Sequence, residues 1–152
     1  MLPGSRGILP AMKTPTLASA MTPFPFSIDA QEDVRAARTM MAEHDLHHLP
    51  VTRDGELVGI VSDTDVLLAG SLTREAGANV SVSAICSAPP YVVDIGERLE
   101  TVASTMAERH IGSALVTRQG KLVGIFTHTD ACQLLGVLLR RVAGLPVDDS
   151  VA

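Results

Sequence analysis

One phrase occurs twice in this chain of 152 residues: LVGIVSDTD at 57–65 returns as LVGIFTHTD at 122–130. The offset is 65 residues, as from Gly55 to Gly120. Held at that offset, Val51 to Asp65 and Val116 to Asp130 are identical at ten of fifteen positions. Upstream the same offset pairs Pro25 with Pro90, Phe26 with Tyr91, Ile28 with Val93 and Asp29 with Asp94, without a gap. The chain is a tandem duplication. Two units are too few for a solenoid, which needs about three. They predict a pair closed about a pseudo-two-fold axis.

Each unit reads as β-α-β-β-α, a mixed α/β (α+β) architecture. FPFSI and PPYVV are short extended segments. Asp29 with Glu32, and Asp94 with Glu97, have the spacing of a helix N-cap and its reciprocal partner. The helices then carry Val34, Ala37 and Met41, or Leu99, Val102 and Met106, at core-facing spacing. LPVTRDGELVGIV and ALVTRQGKLVGIF are apolar runs around a Gly turn, which predicts hairpins. Ser62 and Thr127 are placed to cap the second helices. The second of these runs to about Ala143, with Ala131, Leu135, Leu138 and Val142 on one face and Leu134 and Val137 off it. That apolar surplus predicts a homodimer contact. The domain reading is a flexible leader over 1–15, repeat 1 over 16–70, a polar linker over 71–80, repeat 2 over 81–143 and a tail over 144–152.

Composition narrows the function. Apolar residues make up 46% and aromatics 3%, so the core is aliphatic. The net charge of −5 argues against a general nucleic-acid or anionic-membrane binder. No run approaches the roughly 20 apolar residues that span a bilayer, and no secretory leader is evident. Cys86 and Cys132 lack a C-x-x-C spacing and read as buried thiols in a reducing, cytoplasmic setting.

The residues Gly59-Ile60-Val61-Ser62-Asp63-Thr64-Asp65 and Gly124-Ile125-Phe126-Thr127-His128-Thr129-Asp130 fit G-h-h-[ST]-x-x-D, where h is apolar. With LHHLPV, HIGSALV and ASAMTPFP, they resemble a tandem pair of cystathionine-β-synthase (CBS) domains, the Bateman module, over about residues 16–140. The resemblance implies a regulatory module that senses and does not catalyse. It implies a cleft with two related sites for AMP, ADP, ATP, adenosine or S-adenosylmethionine, with no required cofactor. It also implies a homodimer of pairs acting on a separate protein target.

The motif suits such ligands. A carboxylate in the first turn of a helix is stabilised in its ionised, acceptor-only form, which matches ribose hydroxyls. Each such bond contributes about 1.5–3 kcal/mol. The hydroxyl of Ser62 or Thr127 sits where helix N–H groups favour phosphate. Against this stands the plainer reading, that both pairs serve only as helix caps. By resemblance, each site combines the motif of one repeat with the lead-in and second-strand start of the other. One site would hold Pro25, Phe26, His47, His48, Ile125, Thr127, Thr129 and Asp130. The other would hold Ile60, Ser62, Thr64, Asp65, Pro90, Tyr91, Gly112 and Ser113. Only the first has histidines for a phosphate, so it is the preferred site, with AMP the leading ligand. Thr64 and Thr129 stand where many nucleotide-binding members carry arginine, which disfavours triphosphates.

Three other readings compete with this one. A ligand-free dimerisation or scaffold module is favoured by those two threonines. A metal site on His44, His47 and His48, with His110 and His128 elsewhere, lacks a carboxylate or thiolate at ligand spacing. An enzyme lacks a G-x-S-x-G, a Walker loop or a dinucleotide fingerprint.

Overall fold

The computed structural model describes residues 13–23, 26–76 and 79–147. In chain order the elements are α1 (Leu17–Ala20), β1 (Thr22–Pro23), β2 (Ile28–Asp29), α2 (Val34–His44), β3 (His48–Arg53), β4 (Glu56–Ser62) and α3 (Asp63–Ala76). A 3-10 turn at Val82–Ala84 follows, then β5 (Val92–Asp94), α4 (Leu99–Arg109), β6 (Ser113–Arg118), β7 (Lys121–Thr127) and α5 (His128–Val142). The two β-α-β-β-α units are β2-α2-β3-β4-α3 and β5-α4-β6-β7-α5.

The hairpins match residue for residue. Val51 faces Gly59 and Val116 faces Gly124, and each ladder shifts register one residue later. Each turn uses two left-handed residues, Asp54 with Gly55 (φ 51° and 81°) and Gln119 with Gly120 (φ 51° and 77°). These positive φ values give the backbone twist that a two-residue hairpin needs. The first helices also end alike, on Asp45 and His110, both left-handed at φ 53°.

Each repeat has its own core. One gathers Ile28, Val34, Ala37, Met41, Leu49, Val51, Val61 and Val66. The other gathers Val93, Leu99, Val102, Met106, Ala114, Val116 and Phe126. The helix stripes read from the sequence are the ones that are buried. Fully burying such a side chain contributes about 1.5–3 kcal/mol.

The lead-ins are exchanged between repeats. Thr22 of β1 pairs with Ile125 of β7, and at the same offset Ser87 bridges Ile60 of β4. Leu17 is buried in the core of repeat 2, and Val82 in that of repeat 1. The resulting sheets run β1-β7-β6-β5 and β2-β3-β4. Two glycines make the exchange close-fitting. A β-carbon on Gly59 would stand 2.8 Å from the Ser87 carbonyl oxygen, and one on Gly124 would run into the Met21 sulfur.

Four local expectations are corrected. Asp29 and Asp94 are not helix caps: their Oδ1 atoms accept from the N–H of Gln31 and Gly96, both at 2.8 Å, forming turns before the helices. Aspartate bonds its own backbone two residues on as readily as it caps. Asp33 caps α2 instead, its Oδ1 accepting from Arg35 N–H at 2.8 Å, and α4 starts after Arg98 with no side-chain cap. The expected linker is helical at its start, since α3 continues to Ala76. Cys132 is exposed on α5 and Cys86 half-buried, because α5 turns the cysteine side away from the sheet. On α5 the half-buried face is Ala131, Leu134, Val137 and Leu138, whereas Leu135, Leu139 and Val142 are exposed. The two sets are interleaved at helical spacing, so hydropathy alone did not separate them.

Candidate functional site

The two duplicated motifs form the same hydrogen-bonded unit. Ser62 donates from its N–H and Oγ–H to Oδ2 of Asp65, at 2.9 and 2.7 Å, and Asp65 N–H donates back to Oγ at 3.2 Å. Thr127 and Asp130 repeat this at 2.7, 2.8 and 3.2 Å. These are capping boxes. The cap occupies one carboxylate oxygen of each aspartate. Among the described residues no hydrogen bond falls on Oδ1 of Asp65 or Asp130, so each keeps an acceptor.

Asp65 opens onto a cavity of about 270 Å³ between the repeats. Ile60, Ser62 and His48 line it from repeat 1, and Pro90, Tyr91, Gly112 and Ser113 from repeat 2. Seven of the eight residues expected for the second site thus share one cavity with His48. The exception is Thr64, which faces a separate groove of about 550 Å³ beside Arg38 and Met41. Sequence reasoning missed Ser87, Pro89, His110 and Ile111, which also line the cavity. The repeat offset carried no signal for them: Ser87 corresponds to Thr22 and His110 to Asp45, neither marked as a site residue by the motif.

The wall residue Tyr91 is itself held. The Arg109 guanidinium carbon lies 5.5 Å from its ring centroid. At the same offset Phe26 stacks on His44, with centroids 4.0 Å apart and planes 18° apart. The last residue of each first helix therefore backs the lead-in aromatic of its own repeat.

The expected Asp130 site is placed as follows. Ile125 is buried in β7, while Thr127 and Asp130 form the cap and Thr129 is exposed on the first turn of α5. Phe26 is 47% exposed against His44. Pro25 lies outside the described residues. Asp130 and Arg141 line a further cavity of about 400 Å³ beneath Lys13 and Thr16.

The two histidines assigned to that site part company. His47 is exposed, and its Nδ1 lies 2.8 Å from Oδ2 of Asp63 in its own repeat. That hydrogen bond and the Asp63 charge raise the His47 pKa, while the bond to His47 lowers that of Asp63. His48, expected beside Asp130, lines the Asp65 cavity. Its cross-strand partner is Ser62, which sets it against the cap of α3. Its ring also meets His128 edge-on, with centroids 5.9 Å apart. Burial, and then the His128 charge, lower its pKa. Among the described residues no group of three or more His, Cys, Asp or Glu side chains gathers as a metal would require. No described helix is long and apolar enough to cross a membrane.

The CBS domain family model matches residues 17–71 and 82–137. Inosine-5′-monophosphate dehydrogenase of Thermoplasma acidophilum is 34% identical over 107 residues, covering 69% of this chain and 20% of the enzyme. The chain thus spans about a fifth of that relative's length. The CBS domain pair of protein MJ0100, solved with 5′-methylthioadenosine and S-adenosyl-L-methionine, superposes with a TM-score of 0.71 at 21% identity. That match covers 82% of this chain and 98% of the other, and at this identity it shows the fold alone. CBSX2, solved in complex with AMP, gives a TM-score of 0.66 at 27% identity, with the same two coverages. Two family-model matches, one on each half of the duplication, establish that the chain belongs to the CBS domain family as a tandem pair.

Proposed function

We propose that the protein is a regulatory sensor that binds an adenosine-type ligand between its repeats and signals to a partner protein in trans. The observation that carries this is the Asp65 cavity, whose lining comes from both repeats. A ligand there touches both halves, so it favours whichever mutual arrangement it fits better. A partner reads that change of arrangement, and the energy behind it is the ligand's differential affinity for the two states. The likeness to CBSX2, solved with AMP, supports AMP as the ligand.

The chemistry agrees. Asp65 Oδ1 is an acceptor for ribose hydroxyls, and Tyr91, Ile60 and Pro90 offer apolar surface to a base. About 270 Å³ lies just below the usual range of ligand sites, which begins at about 300 Å³. That favours a nucleoside or monophosphate over a triphosphate. With no arginine at Thr64 or Thr129, the same preference follows from charge. The Asp130 side, with Ile125, Thr127 and Phe26, is the second candidate. The role is binding and not catalysis, in a cytoplasmic setting.

The test is thermal unfolding against AMP, ADP, ATP, adenosine and S-adenosylmethionine. A specific ligand at 100 times its Kd adds about 2.7 kcal/mol. Asp65→Asn keeps an acceptor for the cap and is expected to lose the shift, while Asp130→Asn retains it. No shift with any compound refutes the sensor reading.

A second reading, a homodimerising scaffold with an idle cleft, is favoured by a different observation. Leu67 and Leu68 on α3, and Leu135, Leu139 and Val142 on α5, are exposed. The scaffold reading requires a homodimer through these helices, whereas the cavity of the sensor reading is lined by a single chain. Leu135→Glu with Leu139→Glu should convert that dimer to a monomer in light scattering. A wild-type monomer would remove the scaffold reading and leave the sensor.

A further inference from the structure

The Asp65 cavity has an uneven charge inventory. Among its lining residues Asp65 is the acid, and His48 and His110 are the groups that can become cationic. Among the described residues no lysine or arginine lines it. Its charge therefore depends on two imidazoles, and they stand differently. His110 is the exposed, left-handed C-cap of α4. His48 is half-buried on β3, opposite Ser62. Its Nε2 stands 3.3 Å from where a β-carbon on Gly112 would lie, and His128 Nδ1 stands 3.1 Å from that same point. The absence of a side chain at residue 112 lets both rings reach the seam between repeats.

The groups around His48 pull in both directions. Asp63 and Asp65 on α3 favour its protonation, whereas His47 beside it and His128 on α5 oppose it. Tyr91 stands on the facing wall, with its Arg109 partner behind it. Burial weighs most heavily and favours the neutral ring. An anion in the cavity would add the opposite charge, and its binding would draw in a proton.

We propose that His48 sets the charge class of ligand that the Asp65 cavity takes: neutral adenosine compounds when its imidazole is unprotonated, anionic 5′-substituted ones when it is protonated. This rests on the reading of the cavity as an adenosine site. A neutral imidazole offers one N–H and an imidazolium offers two with a full charge, so the anion gains most from protonation. The chain then reports proton activity together with ligand concentration.

The experiment is calorimetric titration with adenosine and with adenosine 5′-sulfate, a monoanion throughout, at about pH 6 and about pH 8. Using a sulfate ester removes the titration of a phosphate from the result. The preference for sulfate over adenosine should rise about tenfold toward the acid end, the effect of one charge-assisted bond. His48→Gln should make the preference independent of pH, and His44→Gln, at a histidine outside the cavity lining, should leave it intact. His48→Asn serves if the Gln variant melts early. A flat preference in the wild type overturns the proposal, as does a slope that survives in His48→Gln. If both compounds bind with a flat preference, only this proposal falls. If neither binds at either pH, the sensor reading falls with it.

Discussion

The guanidinium of Arg109 covers one face of the Tyr91 ring, whose carbon atoms help wall the cavity between the repeats. The two residues are far apart in sequence, yet the end of α4 brings them together. Arg109→Ala removes this support. An exposed cation–π contact contributes about 0.5–1 kcal/mol. Affinity for the adenosine ligand should fall about two- to five-fold, with the melting temperature nearly unchanged. An unchanged Kd would mean that Tyr91 keeps its place without Arg109.

The caps allow stability to be separated from binding. Ser62→Ala and Thr127→Ala each delete the hydroxyl that accepts the N–H of the following aspartate. Each should cost about 1 kcal/mol in denaturant unfolding. Because the two units are geometrically equivalent, the costs should agree closely. A large excess at either position would show that its hydroxyl does more than cap.

The exchanged lead-ins predict an asymmetry between matched glycines. A β-carbon on Gly59 meets the backbone oxygen of Ser87, which accepts the Ile60 N–H at 3.0 Å. At Gly124 the first obstacle is the flexible Met21 side chain, with the Thr22 oxygen at 3.0 Å behind it. Gly59→Ala should therefore cost more than Gly124→Ala, within the roughly 1–3 kcal/mol of overpacking. Equal losses in chemical denaturation would mean that Met21 cannot yield.

Two adjacent histidines should respond oppositely to acid. His47 has a raised pKa, so the stability it contributes is present below about 6.5, its unfolded value, and is lost as pH rises through the folded one. Asp63, with a lowered pKa, contributes above its unfolded value and loses that as pH falls. The pair therefore helps most in mildly acid solution. His48 has a lowered pKa and destabilises as pH falls below about 6.5. Between about pH 8 and pH 5.5, His47→Gln should steepen the acid loss in melting temperature, and His48→Gln should flatten it. Matching slopes in the two variants would contradict this.

The repeat, the hairpins and the buried stripes of α2 and α4 were legible because each rests on local spacing within one element. The motif aspartates were legible for the same reason. What escaped was set by contacts at long sequence separation. Nothing near Thr22 shows that its partner is Ile125. His47 and His48 look alike as a dipeptide, but strand alternation turns one to Asp63 and the other to the cavity. The Asp29 pattern fits a turn as well as a cap, and only the position of Asp33 decides between them. On α5 both faces are apolar, so which one meets the sheet depends on the packing of α1.

The crossing of the lead-ins has a consequence for how the molecule can be divided. A break anywhere in residues 71–80 would part the chain into two halves, but Leu17 would leave with the wrong half and Val82 with the other. Each half would carry a plug shaped for its neighbour and a vacancy where its own plug belongs. A chain with a single copy of this unit would meet the same requirement through a second molecule, each inserting its lead-in into the other. In this protein the duplication has made that exchange internal. The partner is always present, at a concentration set by the tether and independent of how dilute the protein becomes.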